Sequence, residues 1–141
     1  MADAEARAEK RPRTTTAERP LSPHLQIYKP MLTMLMSGMH RITGFFLYFG
    51  TLLLAIWLIA AATDAKAFQT VAAIYGSWFG RLVLFGYSWA LLLHLMGGLR
   101  HFVWDTGRAM GHPEREYMVI ISLVGSIVLT AIVWIIVFAR S

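Results

Sequence analysis

Three long apolar stretches interrupt an otherwise polar chain, and their lengths decide the class of structure before any single residue matters. The first runs from Ile42 to Ala62 without a formal charge, the second lies between Arg81 and Arg100, and the third between Tyr117 and Ala139. At 1.5 Å rise per residue, each is long enough to cross about 30 Å of hydrocarbon. The pattern therefore predicts an all-α integral membrane protein with spans at about 41–62, 81–103 and 117–139. Between the first two spans, Thr63–Gly80 carries only Asp64 and Lys66 as charges. Its mixed apolar and aromatic part, Ala67–Gly80, reads either as a short interfacial helix or as an extension of the second span. Residues 1–19 read as a disordered polar tail, and residues 20–141 as the three-helix unit.

Composition narrows the reading in the same direction. Hydrophobic residues make up 57% of the 141 and charged residues 15%, more apolar surface than a soluble domain of this size can bury. The net charge of +5 raises the question of nucleic acid. The cations, however, sit at the ends of the apolar runs, where membrane topology needs them, so nucleic-acid binding is not expected. With no cysteine, iron–sulfur ligation and thiol chemistry by this chain are excluded, leaving His, Met and carboxylates as donors. The tail lacks an apolar h-region and contains Asp3, Glu5, Glu9 and Glu18. It reads as neither a secretory signal nor an acid-poor transit peptide. A bacterial inner membrane is expected, ahead of the mitochondrial inner membrane.

Lys and Arg also predict direction. Arg19, Lys29 and Arg41 flank the first span, and Arg100, Arg108 and Arg115 lie in or beside the second loop; Lys66, Arg81 and Arg140 mark the opposite side. The N-terminus is therefore expected in the cytoplasm and the C-terminus outside. Tyr28, Trp104 and Tyr117 would mark the inner interface, and Trp57, Trp78 and Trp134 the outer one. Small residues at helical spacing, Gly76 with Gly80, Gly97 with Gly98, and Ser122 with Ser126 beside Gly125, are candidate points of close helix approach. No internal repeat of the kind that builds transporters is visible.

His94 stands out chemically, about 9 Å inside the span from Arg100 on a regular helix. An imidazole at that depth is costly and is retained either for function or by a hydrogen bond to a neighbouring helix. Gly97 and Gly98 follow at i+3 and i+4, and His101 at i+7. A haem would use the imidazole on iron, a side-chain-poor surface beside it, and donors near the boundary for its propionates; the alternative for the glycine pair is plain helix packing. On the first span Ser37 and Arg41 share a face at i, i+4, a hydroxyl and a guanidinium suited to a quinone carbonyl. His40 points about 100° away, towards a possible haem propionate. A helix start with a snorkelling arginine explains the same residues equally well. His24 and His112 read as solvated, the eight methionines as packing, and Asp105 as facing water. No phosphate loop, zinc-protease motif or catalytic triad is present, so the chain is not expected to catalyse by itself.

Three segments carry a resemblance: Arg19–Tyr28, Ser37–Gly44 (SGMHRITG) and His94–Asp105 (HLMGGLRHFVWD). Together they resemble the cytochrome b556 subunit of succinate dehydrogenase, a membrane anchor of complex II, over the chain from about Arg19 onward. The resemblance implies half of a heterodimeric haem-binding helical bundle. It implies His94 as an axial ligand to haem b, with the second axial histidine supplied by another small anchor subunit. It implies Ser37 and Arg41 lining a ubiquinone site, His40 and Arg41 near the haem propionates, and an iron–sulfur subunit and a flavoprotein subunit as partners. His101 lies in the motif without an assigned role. The readings that compete are the anchor of a quinol:fumarate reductase, and a haem-free structural anchor.

Overall fold

The computed structural model describes residues 21–140 and is wholly helical over them apart from turns. The tail expected at 1–19 lies outside the described residues. A single turn of 3₁₀ helix, His24–Ile27, leads into α1 (Leu32–Thr63), followed by α2 (Ala65–Gly76), α3 (Trp78–Asp105) and α4 (Glu114–Ala139). Helices α1, α3 and α4 are each long and apolar enough to cross a membrane.

The boundaries have local causes. Pro30 and the extended Met31 hold the chain out of helix until Leu32. With 32 residues, α1 is about 48 Å long, well beyond the hydrocarbon thickness. Ser37 to Arg41 lie within this one continuous helix. The chain breaks at Asp64, which is extended and accepts a 2.8 Å hydrogen bond from the Ala67 amide, capping α2. Thr63–Gly80 thus resolves into a separate helix, α2, and the start of α3. Tyr75 fastens α2 to α1 by donating its hydroxyl to the Leu53 carbonyl at 2.8 Å.

Ser77 interrupts the chain again and caps α3 by accepting from the Gly80 amide at 3.1 Å. Gly76 and Gly80 consequently lie on different helices and do not form one packing face. A side chain on Gly80 would collide with the carbonyls of Ile74 and Tyr75, so glycine is required there by the tight turn.

Packing concentrates on α3, which contacts α4 most extensively and then α1. Met36, Leu93 and Val119, one from each long helix, form the buried core. The buried stripe on α4 is Val119, Ser122, Ser126, Thr130 and Trp134, and its hydroxyls are satisfied by carbonyls one turn back, at 2.7 Å each. Small side chains that carry their own hydrogen-bond partner allow close approach in an apolar medium. Most large apolar side chains on the three long helices remain exposed. That surface is what a bilayer and partner helices would cover.

Candidate functional site

The approach of α1 to α3 builds the site, and glycines permit it. A Cβ on Gly50 would enter the Tyr87 ring, one on Gly97 would enter the His40 ring, and one on Gly44 would lie 3.0 Å from His94 Cε1. With those positions bare, His40 folds inward over Gly97 and lies flat against His94, ring centroids 3.9 Å apart and planes within 14°.

His94 is held at one nitrogen and free at the other. Its Nδ1 lies 3.1 Å from the His40 carbonyl oxygen and 3.3 Å from Thr43 Oγ1. The Thr43 hydroxyl itself donates to that same carbonyl at 3.0 Å. A carbonyl can only accept, so the proton belongs on Nδ1 and the lone pair on Nε2. Among the described residues, the buried side-chain nitrogens without a hydrogen-bond partner are His40 Nε2, Trp89 Nε1, Arg100 Nε and Nη1, and Trp134 Nε1; His94 Nε2 is not one of these enclosed atoms.

Towards the end of the bundle where α1 begins and α3 ends, cations and imidazoles gather. Arg100 is only 2% exposed, with its guanidinium 5.0 Å from the Trp104 ring centroid. His101 is exposed and meets His40 edge-on at 5.5 Å and Trp104 at 5.4 Å. Ser37 and Arg41 are both exposed on α1. His40 and His94 are thus brought into contact, with His101 beside them, whereas Ser37 and Arg41 form a separate outward patch. His24, Asp105 and His112 are exposed, the last paired with Glu116 at 3.1 Å.

Two participants carried no sequence signal of their own. Thr43 read as part of a polar helix start, although it lies one turn from His40, where a threonine hydroxyl normally returns to a carbonyl. Arg100 read as a topology marker, because sequence spacing does not show that it is buried. The glycine pair also divides: Gly97 is filled by His40, while among the described residues nothing lies within 4 Å of a Cβ on Gly98.

An apolar cleft of about 560 Å³ runs along α1 and α3, lined by Thr43, Phe46, Gly50, Gly86, Tyr87 and Ala90 among others. Thr43, which touches His94, lies in its wall, and Ala90 is one turn before His94. Among the described residues no group of three or more His, Cys, Asp and Glu side chains could hold a bare metal ion. One imidazole with a free Nε2, an apolar cleft beside it and buried donors at one end suit a macrocycle that brings its own four nitrogens to iron.

The sequence profile described as succinate dehydrogenase/fumarate reductase transmembrane subunit matches residues 15–135. The chain belongs to that family. Among relatives, the succinate dehydrogenase cytochrome b556 subunit of Paracoccus denitrificans is 40% identical over 120 residues, 85% of this chain and 92% of that protein. The subunit of the same name from Rickettsia prowazekii (strain Madrid E) is 36% identical over 118 residues, covering 84% and 92%. The cytochrome b560 subunit of Reclinomonas americana is 37% identical over 125 residues, covering 84% and 85%. As a succinate dehydrogenase/fumarate reductase transmembrane subunit, the chain is a membrane component, in keeping with its three long apolar helices. The matched residues include both the His40–Gly44 segment and His94.

Proposed function

We propose that this chain is a membrane anchor of succinate dehydrogenase that supplies one axial ligand, His94, to haem b and part of the site that reduces ubiquinone. The observation that carries the reading is the state of His94: Nδ1 committed to acceptors on α1, and Nε2 left as a lone-pair donor. When bound, haem b supplies a one-electron carrier. This chain's own share is to orient the imidazole, keep water from it through the apolar cleft, and offer His40, Arg41 and the buried Arg100 to the propionates. One axial histidine per chain makes the haem site a joint product with the second small anchor subunit.

Ser37 and Arg41 form the quinone-facing patch in this reading. One helical turn apart on an exposed face, they present a hydroxyl donor and a fixed positive charge to a quinone carbonyl, where charge develops on reduction. The iron–sulfur and flavoprotein subunits would dock at this end of the bundle, on the cytoplasmic side of a bacterial inner membrane. The Lys and Arg distribution supports that side for the N-terminus and the α3–α4 loop, with the C-terminus outside.

The test uses the assembled complex. His94→Leu is expected to abolish the reduced-minus-oxidised b-type spectrum, and an unchanged spectrum would sink the ligand assignment in favour of a haem-free anchor. Arg41→Ala is expected to depress succinate-driven ubiquinone reduction by at least tenfold while succinate oxidation by an artificial acceptor persists, since a charge-assisted contact is worth about 1.5–3 kcal/mol. Equal loss of both rates, or of neither, defeats the quinone role.

A further inference from the structure

The segment His40–Gly44 does more than place polar groups near the membrane boundary. Four of its features converge on one side chain of another helix. The His40 carbonyl and the Thr43 hydroxyl both meet His94 Nδ1, at 3.1 and 3.3 Å. The His40 ring covers one face of the imidazole at 3.9 Å, and bare Gly44 lets its Cε1 edge approach. Thr43 is 3% exposed, so its hydroxyl works in a medium where hydrogen bonds are strong and water does not compete.

We infer that Thr43 is a positioning residue for the His94 ligand, raising its basicity through the hydrogen bond at Nδ1 that it shares with the His40 carbonyl. This rests on the reading of His94 as a haem ligand given above. The Thr43 proton is spent on the His40 carbonyl, which leaves the oxygen lone pairs of Thr43 turned towards Nδ1. The Nδ1 proton then lies between two acceptors, and the alternative tautomer, with a lone pair at Nδ1 facing a carbonyl, is disfavoured. Nε2 is thereby kept unprotonated for iron. An Nδ1–H that donates to oxygen also makes the imidazole a stronger donor at Nε2. A stronger axial donor favours the ferric state, so the hydroxyl holds the haem potential below the value it would otherwise have.

The experiment compares Thr43→Val, which keeps the shape and removes the hydroxyl, with Thr43→Ser, which keeps the hydroxyl and removes a methyl. Both are made in the assembled complex and read by haem content and by spectroelectrochemical midpoint potential. Thr43→Val is expected to retain haem with its midpoint shifted upward, and Thr43→Ser to keep the wild-type midpoint. A role in packing alone predicts the reverse order, with serine perturbing and valine silent; that outcome, or an unshifted midpoint in valine, overturns the proposal. Should the valine variant fail to assemble, Thr43→Ala takes its place against serine, and equal midpoints in alanine and serine overturn it equally. His94→Leu in parallel separates the two levels. Haem retained in that variant removes the ligand reading itself, whereas haem lost there with Thr43→Val unshifted removes only the positioning role.

Discussion

Gly97→Ala isolates the contact that holds the site together. In an ordinary membrane helix this substitution is neutral or stabilising, because alanine is favoured over glycine by about 1 kcal/mol in a helix interior. Here the new methyl would collide with His40 Cδ2 and stand 3.1 Å from its Nε2. Normal carbon contact is about 3.5–4.0 Å, so the ring must retreat by about 1 Å or more. It has little room to do so, since its other face lies against His94 at 3.9 Å. Overpacking of this kind costs about 1–3 kcal/mol, and loosening the ring stack adds about 0.5–1.5 kcal/mol. These terms outweigh the gain in helix propensity and leave a net loss of about 1–3 kcal/mol. The assay is thermal inactivation of the purified complex in detergent together with its haem spectrum, with Gly76→Ala as the control, because no described residue lies within 4 Å of a Cβ there. Gly97→Ala is expected to lower the inactivation midpoint and broaden or shift the haem band while the control does neither. If Gly97→Ala matches the control in both measurements, His40 does not occupy the space over Gly97 and the stack is wrong.

Two further outcomes test the frame around the site. Tyr75→Phe removes the 2.8 Å bond to the Leu53 carbonyl and keeps the ring. It is expected to cost about 0.5–1.5 kcal/mol and to loosen α2, read as faster hydrogen exchange over residues 65–76 with exchange around His94 unaltered. Asp64→Ala removes the cap on α2 at a cost of about 1 kcal/mol. Asp64→Asn, which keeps an accepting oxygen, is expected to recover most of the loss in the same thermal measurement.

The helices were legible because their signal is long and one-dimensional: three uncharged runs of spanning length have few other physical solutions. The split between α2 and α3 was less so. Gly76 and Gly80 look like a close-packing pair at i, i+4, and only the extended Ser77 between them assigns them to different helices. At the site, His94 was visible from its depth and His40 from its polar neighbourhood, but the stacking of one on the other was not. That contact depends on the register between α1 and α3, which Gly44, Gly50 and Gly97 set jointly across about 50 residues of chain. Thr43 and Arg100 were obscured for the same reason. A threonine in a helix and an arginine at a helix end have ordinary local explanations, and only tertiary packing makes them buried.

The division of labour between Ser37–Arg41 and His40–Thr43 shows in their burial: Ser37 and Arg41 are exposed, His40 is half-buried and Thr43 is buried. Residues 37 and 41 share one face of α1, residues 40 and 43 lie together on the side turned to α3, and Gly44, seven residues after Ser37, sits between the two. A single eight-residue segment can therefore present polar groups outward and clamp a histidine inward without either task disturbing the other. The outward face is exposed in this chain, where a partner subunit and a quinone head group can both reach it. The inward face remains in the dry interior that a tuned imidazole needs. Substitutions on the two faces should accordingly separate: Ser37→Ala changes ubiquinone reduction with the haem midpoint unmoved, and Thr43→Val moves the midpoint with ubiquinone affinity unchanged. A variant on either face that altered both together would mean that the two sites share a rigid element, and that the segment moves as one body.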